Sequence, residues 1–148
     1  MSPSPTTTHQ HLLFELGATL RLPAREAGLR VLPEPNVRLK PDRIVIPDLV
    51  VTTDMDRKLV IEAASVLLIC EITSPSNAAT DKVLKMHYYA AAGIRWYLLV
   101  EQETTTVHLY ELAADTYVEA ASARPGESLK LKAPVIVTIN PEDLSPPV

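Results

Sequence analysis

A chain of 148 residues, 47% hydrophobic and 22% charged, reads as a globular protein with room for one real core and too little chain for two ordinary domains. Its net charge of -4 excludes a protein that coats nucleic acid by bulk charge, though a local basic groove remains open to it. No apolar run reaches the length of a membrane-spanning helix. Cys70, the single cysteine, excludes an internal disulfide and reads as a small core residue. Met1 to Thr8 has neither the basic nor the apolar region of a secretory signal, so the cytoplasm is the expected compartment.

The Pro-, Ser- and Thr-rich residues 1–8 predict an extended tail, with order beginning near His9. From His9 to Leu22, Leu12, Leu13, Leu16 and Leu20 recur at helical spacing and Pro23 closes the pattern, which predicts an amphipathic helix with one buried stripe. Glu15 lies off that stripe. A loop with Gly28 leads into Val31 to Leu39, whose Pro33 and Pro35 suit an edge strand. Ile44 to Val51 is β-branched and interrupted only by Pro47-Asp48, the mark of an edge or a bulge, and a bulge re-aims the side chain that follows it. Residues 52–58 are polar and read as a loop.

The run that begins at Leu67 is too apolar for a surface strand and ends on a carboxylate, so it is expected at the centre of the sheet, delivering Glu71 to an opening, unless Glu71 merely ends the strand in solvent. A buried carboxylate there demands a cation, a metal or water. Ser74-Pro75-Ser76-Asn77 is a turn, with Asn77 or Thr80 to cap a helix that runs to Gly93. Along it Lys82, Lys85 and Tyr89 share one stripe, while Val83, Leu84, His87, Tyr88 and Ala91 form the opposite side, which is expected to pack. Trp96 to Val100 is a short strand and Glu101 to Glu103 a turn. Val107–Leu112 and Thr116–Ala120 form a hairpin, and Leu129–Leu131 and Val135–Ile139 a last pair of strands. Residues 141–148 are expected to be a loosely held tail. The pattern predicts a single α/β domain, 1–148, with a mixed sheet flanked by helices.

Asp48 after a proline, Glu71 ending a strand and Lys85 on the next helix together carry the chemistry of a hard divalent cation, held by two carboxylates beside a lysine that stabilises charge or orients water. Against this stand plainer readings. Asp48 can bond its own turn. Lys85 can be one end of a pair with Asp81 worth only ~0.3 kcal/mol on a solvated face. Tyr89 can pack with a polar tip. Lys82 is the substitute if the register shifts, and Glu15 a further metal contact. His9 and His87 are left out of the site, because neither has a second histidine at metal spacing.

Pro47-Asp48 with Glu71-Ile72-Thr73 resembles the PD-(D/E)XK nuclease motif. More closely, Ile46-Pro47-Asp48-Leu49-Val50-Val51, Glu71-Ile72-Thr73-Ser74-Pro75-Ser76 and the downstream Asp81, Lys85, Tyr89, Gly93 and Tyr97 are similar to the Uma-type family of restriction-endonuclease-like proteins, over roughly His9 to Tyr117. The resemblance implies a restriction-endonuclease-like core, Mg²⁺ with Mn²⁺ as a substitute, and a DNA substrate. It moves the lysine of the motif from the strand position, here Thr73, to Lys85. It also implies a further segment before the first helix; Met1 sits where that segment would end, so the chain is expected to lack it. A two-fold homodimer is expected, because cutting both strands takes two sites and an exposed sheet edge favours pairing. The rival reading is a non-catalytic member of the same fold acting as a dimerisation or regulatory module, supported by the acidic balance, the expected lack of the N-terminal segment and the absence of a basic cluster longer than two residues. RNA is a third, weaker substrate reading.

Overall fold

Leu12, Leu16 and Leu20, spaced four apart, are each no more than 1% exposed, on a helix α1 that spans Thr7–Glu26. They lie in a computed structural model that describes residues 5–74 and 79–146. Thr6 caps the helix, its Oγ1 accepting from the His9 N–H at 3.0 Å. The helix therefore starts two residues ahead of the expected His9. Nor does Pro23 end it: α1 continues one turn to Glu26, because Ala24 extends the four-residue stripe and is fully buried. The chain turns away afterwards at Gly28, whose φ of 76° is open to glycine at little cost.

After α1 come β1 (Arg30–Pro33), β2 (Asn36–Lys40), β3 (Arg43–Val45), β4 (Leu49–Thr52), β5 (Val60–Glu62) and β6 (Val66–Thr73). Helix α2 (Ala79–Ala91) follows, then β7 (Trp96–Glu101), β8 (Thr106–Ala113), β9 (Thr116–Ala123), β10 (Leu129–Leu131), β11 (Val137–Ile139) and a final turn of helix, α3 (Pro141–Leu144). Six strands make one mixed sheet in the order β1-β4-β6-β7-β8-β9. Only β6 and β7 run parallel within it, and α2 is their crossover, as a parallel pair requires. Strands β3-β2-β5 form a second sheet and β10-β11 a third.

Alternation along the strands divides the core in two. Leu49 and Val51 of β4, with Leu68 and Cys70 of β6, pack on the α1 side. Val50 and Ile69 pack on the other side with Tyr89, Tyr97 and Leu99, where Val37 and Ile61 of the small sheet join them. The central strand stands where its apolar run predicts, although it continues two residues beyond Glu71, to Thr73.

Several expectations need correction. The run 31–39 is two strands, because the chain turns between Pro33 and Pro35, with Glu34 at φ 50°; β1 edges the large sheet while β2 is the middle of the small one. Pro47 does not bulge a strand but separates β3 from β4, which belong to different sheets. Strand β5 follows the polar loop directly, too short to show a period. Residues 141–145 are held rather than loose: Leu144 is 1% exposed in the core beneath α1, and Ser145 Oγ lies 3.2 Å from Thr105 Oγ1. The turn residues Pro75, Ser76 and Asn77, and the side chain of Thr80, lie outside the described residues, so neither expected cap is placed. Among the described residues, no helix is long and apolar enough to cross a membrane.

The outer strands are joined by a charged clamp. His108 on β8 faces Glu101 on β7 through Nε2 at 2.9 Å and Glu119 on β9 through Nδ1 at 2.7 Å. Burial alone would lower the imidazole's pKa, but the bonds to Glu101 and Glu119 outweigh it and raise it. A raised folded-state pKa adds stability that is fully present below about pH 6.5, the ordinary histidine value, and is lost as pH rises through the folded value. His108→Gln should therefore cost about 1 kcal/mol at pH 6 and little at pH 9, measured by urea melts at both. An equal cost at the two pH values would show that the clamp is packing alone.

Candidate active site

The antiparallel register pairs Leu49 with Cys70, so one step further Asp48 comes directly opposite Glu71, at the rim of the sheet. Asp48 leads into β4 at the point where the chain passes from the small sheet to the large one. Its Oδ2 accepts from the Ile72 N–H at 2.7 Å, and its Oδ1 lies 3.2 Å from His9 Nε2. Glu71 is 5% exposed. The Tyr89 hydroxyl donates to its Oε1, and Lys85 Nζ stands 4.0 Å from its Oε2 and 3.6 Å from Asp81 Oδ2.

These neighbours set the charge. Burial, then the nearby Asp48 carboxylate, push Glu71 up to about 8, and Lys85 and the Tyr89 bond only partly offset them. Tyr89 and Tyr97 are pushed well above the usual phenol range, first by burial and then by the charge of Glu71. Both stay neutral, so Tyr89 is a hydrogen-bond donor to Glu71 throughout the working pH range. Among the described residues positive charge is short here: two carboxylates converge on one rim with a single ammonium at 4.0 Å.

Beside Glu71 a cavity of about 20 Å³ opens, roughly one water in size. Lys82, Lys85, Asp81 and Thr73 line it. Helix α2 thus turns its Lys82-Lys85-Tyr89 stripe toward the sheet, the reverse of the packing expected from hydrophobicity. Val83 and Leu84 are 65% and 45% exposed, and His87 and Ala91 are exposed too. Tyr89 and Ala90 are buried and Met86 packs with them, while Tyr88 lies flat under the Arg43 guanidinium at 3.6 Å. Glu71 gives this stripe something to meet: a buried carboxylate draws a hydroxyl and an ammonium that water would otherwise solvate.

Of the residues singled out in the sequence, Asp48, Glu71, Lys85, Tyr89, Asp81 and Lys82 gather here. Glu15 does not; six residues beyond His9, it points about 120° around α1 from it, and its carboxylate has no polar partner among the described residues. His9, set aside for want of a second histidine, is present. Helical periodicity carried the signal, since His9 precedes Leu12 and Leu16 by three and seven residues and shares their buried stripe. Among the described residues, no group of three or more His, Cys, Asp or Glu side chains is arranged to hold a metal.

A mixed sheet with α1 on one face and α2 on the other, and paired carboxylates where two central strands meet, defines a restriction-endonuclease-like α/β protein. The chain belongs to the Uma2 family, described as "Putative restriction endonuclease", which it matches over residues 1–140. Its fold is shared by a "putative nuclease belonging to DUF820" from Anabaena variabilis, seen in a crystal structure, at a TM-score of 0.73 and 16% identity over 97% of this chain and 83% of that one. A weaker likeness, TM-score 0.49 and 15% identity, covers 76% of this chain and 10% of a chain in the cryo-electron-microscopy structure of the DrdV–DNA complex. Among curated proteins none matches.

Proposed function

We propose that the chain is a divalent-metal-dependent endonuclease of the cytoplasm that hydrolyses DNA phosphodiester bonds, with Asp48 and Glu71 as metal ligands and Lys85 as the charge-stabilising group. The observation that carries this is the convergence of Asp48 with a Glu71 whose carboxyl is raised to about 8 by burial and by Asp48. Two hard oxygen donors that repel each other fit Mg²⁺, or Mn²⁺ in its place, which takes one or two carboxylates and keeps several waters. Bound there, the cation would neutralise charge growing on the phosphate and lower the pKa of a nearby water.

The chain's own groups divide the remaining work. The Ile72 N–H fixes Asp48, and Tyr89 fixes Glu71 by donating to Oε1, which leaves Oε2 toward the cavity. Lys85 reaches the same rim. Asp81 lies 3.6 Å from its ammonium and Lys82 stands beside it on the cavity wall, so a phosphate at the mouth of the cavity would meet two ammonium groups. The exposed Val83 and Leu84 favour the second reading, a non-catalytic interaction module of the same fold.

A plasmid-nicking assay on the purified chain separates the two. Nicking in Mg²⁺ that is lost in chelator and in Asp48→Asn supports the enzyme. No nicking, or nicking indifferent to both, supports the module. Light scattering on the same sample should give the mass of a homodimer.

A further inference from the structure

We propose that His9, from α1, is a positioning residue that fixes the Asp48 carboxylate by donating from Nε2, and so sets the affinity of the site for a divalent cation; this rests on the metal-ligand reading of Asp48. His9 sits in the first turn of α1 with its backbone N–H bound to Thr6 Oγ1 at 3.0 Å. Its side chain is 15% exposed, with Nε2 3.2 Å from Asp48 Oδ1. Its Nδ1 is fully buried and meets no hydrogen-bond partner among the described residues.

That orphan nitrogen decides the tautomer. A hydrogen on Nδ1 would be buried without an acceptor, so the ring carries its hydrogen on Nε2, the nitrogen that stands 3.2 Å from Asp48 Oδ1. With the Ile72 N–H on Oδ2 at 2.7 Å, the imidazole brackets the carboxylate from two elements, one nitrogen against each oxygen. Each oxygen keeps a further lone pair for a cation. Such outer partners orient a ligand and hold it in place for the cation.

The burial is otherwise unexplained. A bare acceptor inside the protein costs free energy that an apolar side chain at the same place would not. A residue serving only to pack α1 would be better as leucine. The orphan is accounted for if the other ring nitrogen is needed at Asp48.

The test is Mg²⁺ and Mn²⁺ binding to the full chain by calorimetry, with thermal melts, for the parent, His9→Leu, His9→Gln and Asp48→Asn. His9→Leu should weaken binding ten- to a hundredfold, the range for losing such a partner, with a melting temperature equal to or above that of the parent. His9→Gln places an N–H donor where Nε2 stands and should bind within about threefold of the parent. Should His9→Leu fail to fold, His9→Asn, whose amide falls short of Asp48, takes its place in the comparison. Parent-like binding by the leucine or asparagine variant overturns the proposal, and so does a glutamine variant as weak as leucine. If the parent binds no better than Asp48→Asn, the metal-ligand reading fails and this assignment fails with it. If the parent binds and Asp48→Asn does not, only the His9 variants bear on the role of His9.

Discussion

Glu71→Gln should abolish Mg²⁺-dependent cleavage while making the protein more stable. The carboxyl of Glu71 is raised from an ordinary 4.5 to about 8, so between those values the unfolded chain releases a proton that the folded chain keeps. Stability therefore falls as pH rises through that window, and above about 8 the folded protein carries the full cost of a buried charge beside Asp48. Glutamine never ionises. Its Oε1 can still accept from Tyr89, and its amide can donate to Asp48 where the protonated acid did. At pH 8 the gain should be on the order of 1–3 kcal/mol, well below what the shift implies by itself, because the parent can admit water or counterions. The gain should vanish near pH 4.5 and stop growing above about pH 8. Added Mg²⁺ should raise the melting temperature of the parent by mass action and leave the variant unmoved. Thermal melts across pH with and without Mg²⁺, alongside the nicking assay, read all three. A variant that cleaves, or one that is less stable at pH 8 than at pH 5 relative to the parent, contradicts the assignment.

Lys85→Ala should slow cleavage by roughly 10² or more while leaving divalent-ion affinity nearly intact, since a lysine that acts on developing charge is felt mainly in the transition state. Its ammonium is 4.0 Å from Glu71 Oε2 and is held on the outer side by Asp81. Lys82 lines the same cavity but forms no ion pair with Glu71 among the described residues. Lys82→Ala should therefore cost only a few fold, as loss of a phosphate contact. Single-turnover rates at saturating Mg²⁺ compare the two. Equal losses would move the role from one lysine to the pair, and a larger loss for Lys82 would exchange them. Asp81→Asn provides a control: it frees Lys85 without removing it, so a large loss there would mean that the lysine must be held as well as present.

Much of this was legible in the sequence because it rests on local rules. The apolar run that reaches Glu71 could only be a central strand, and Gly93, at φ 79°, ends α2 as a glycine after a helix should. What failed was non-local. Nothing in the order of residues says that β2 and β3 leave the large sheet, because that depends on β5 arriving parallel to β2. The packing side of α2 was misread because hydrophobicity favours burying Val83 and Leu84, whereas a carboxylate across the gap drew the opposite face inward. His9 was missed for a related reason. A search for paired histidines cannot find one whose partner is an aspartate at a strand junction, although its place on the leucine stripe was visible.

Neighbouring residues of β6 belong to different environments: Cys70 is sealed among the aliphatic side chains beneath α1, while Glu71 looks toward α2. The strand is a septum, with aliphatic packing behind it and, in front, a second apolar cluster that gives way to polar chemistry at Glu71. Drift in the aliphatic compartment can raise or lower stability without changing the field at the carboxylates, and change in front can alter chemistry without loosening the compartment behind. At Asp48 the separation ends, because His9 reaches it from a helix whose leucines belong to the dry side. A repacking that tilts α1 would thus be transmitted to the carboxylate, which makes the first turn of that helix the place where accumulated core changes would first be felt as altered chemistry.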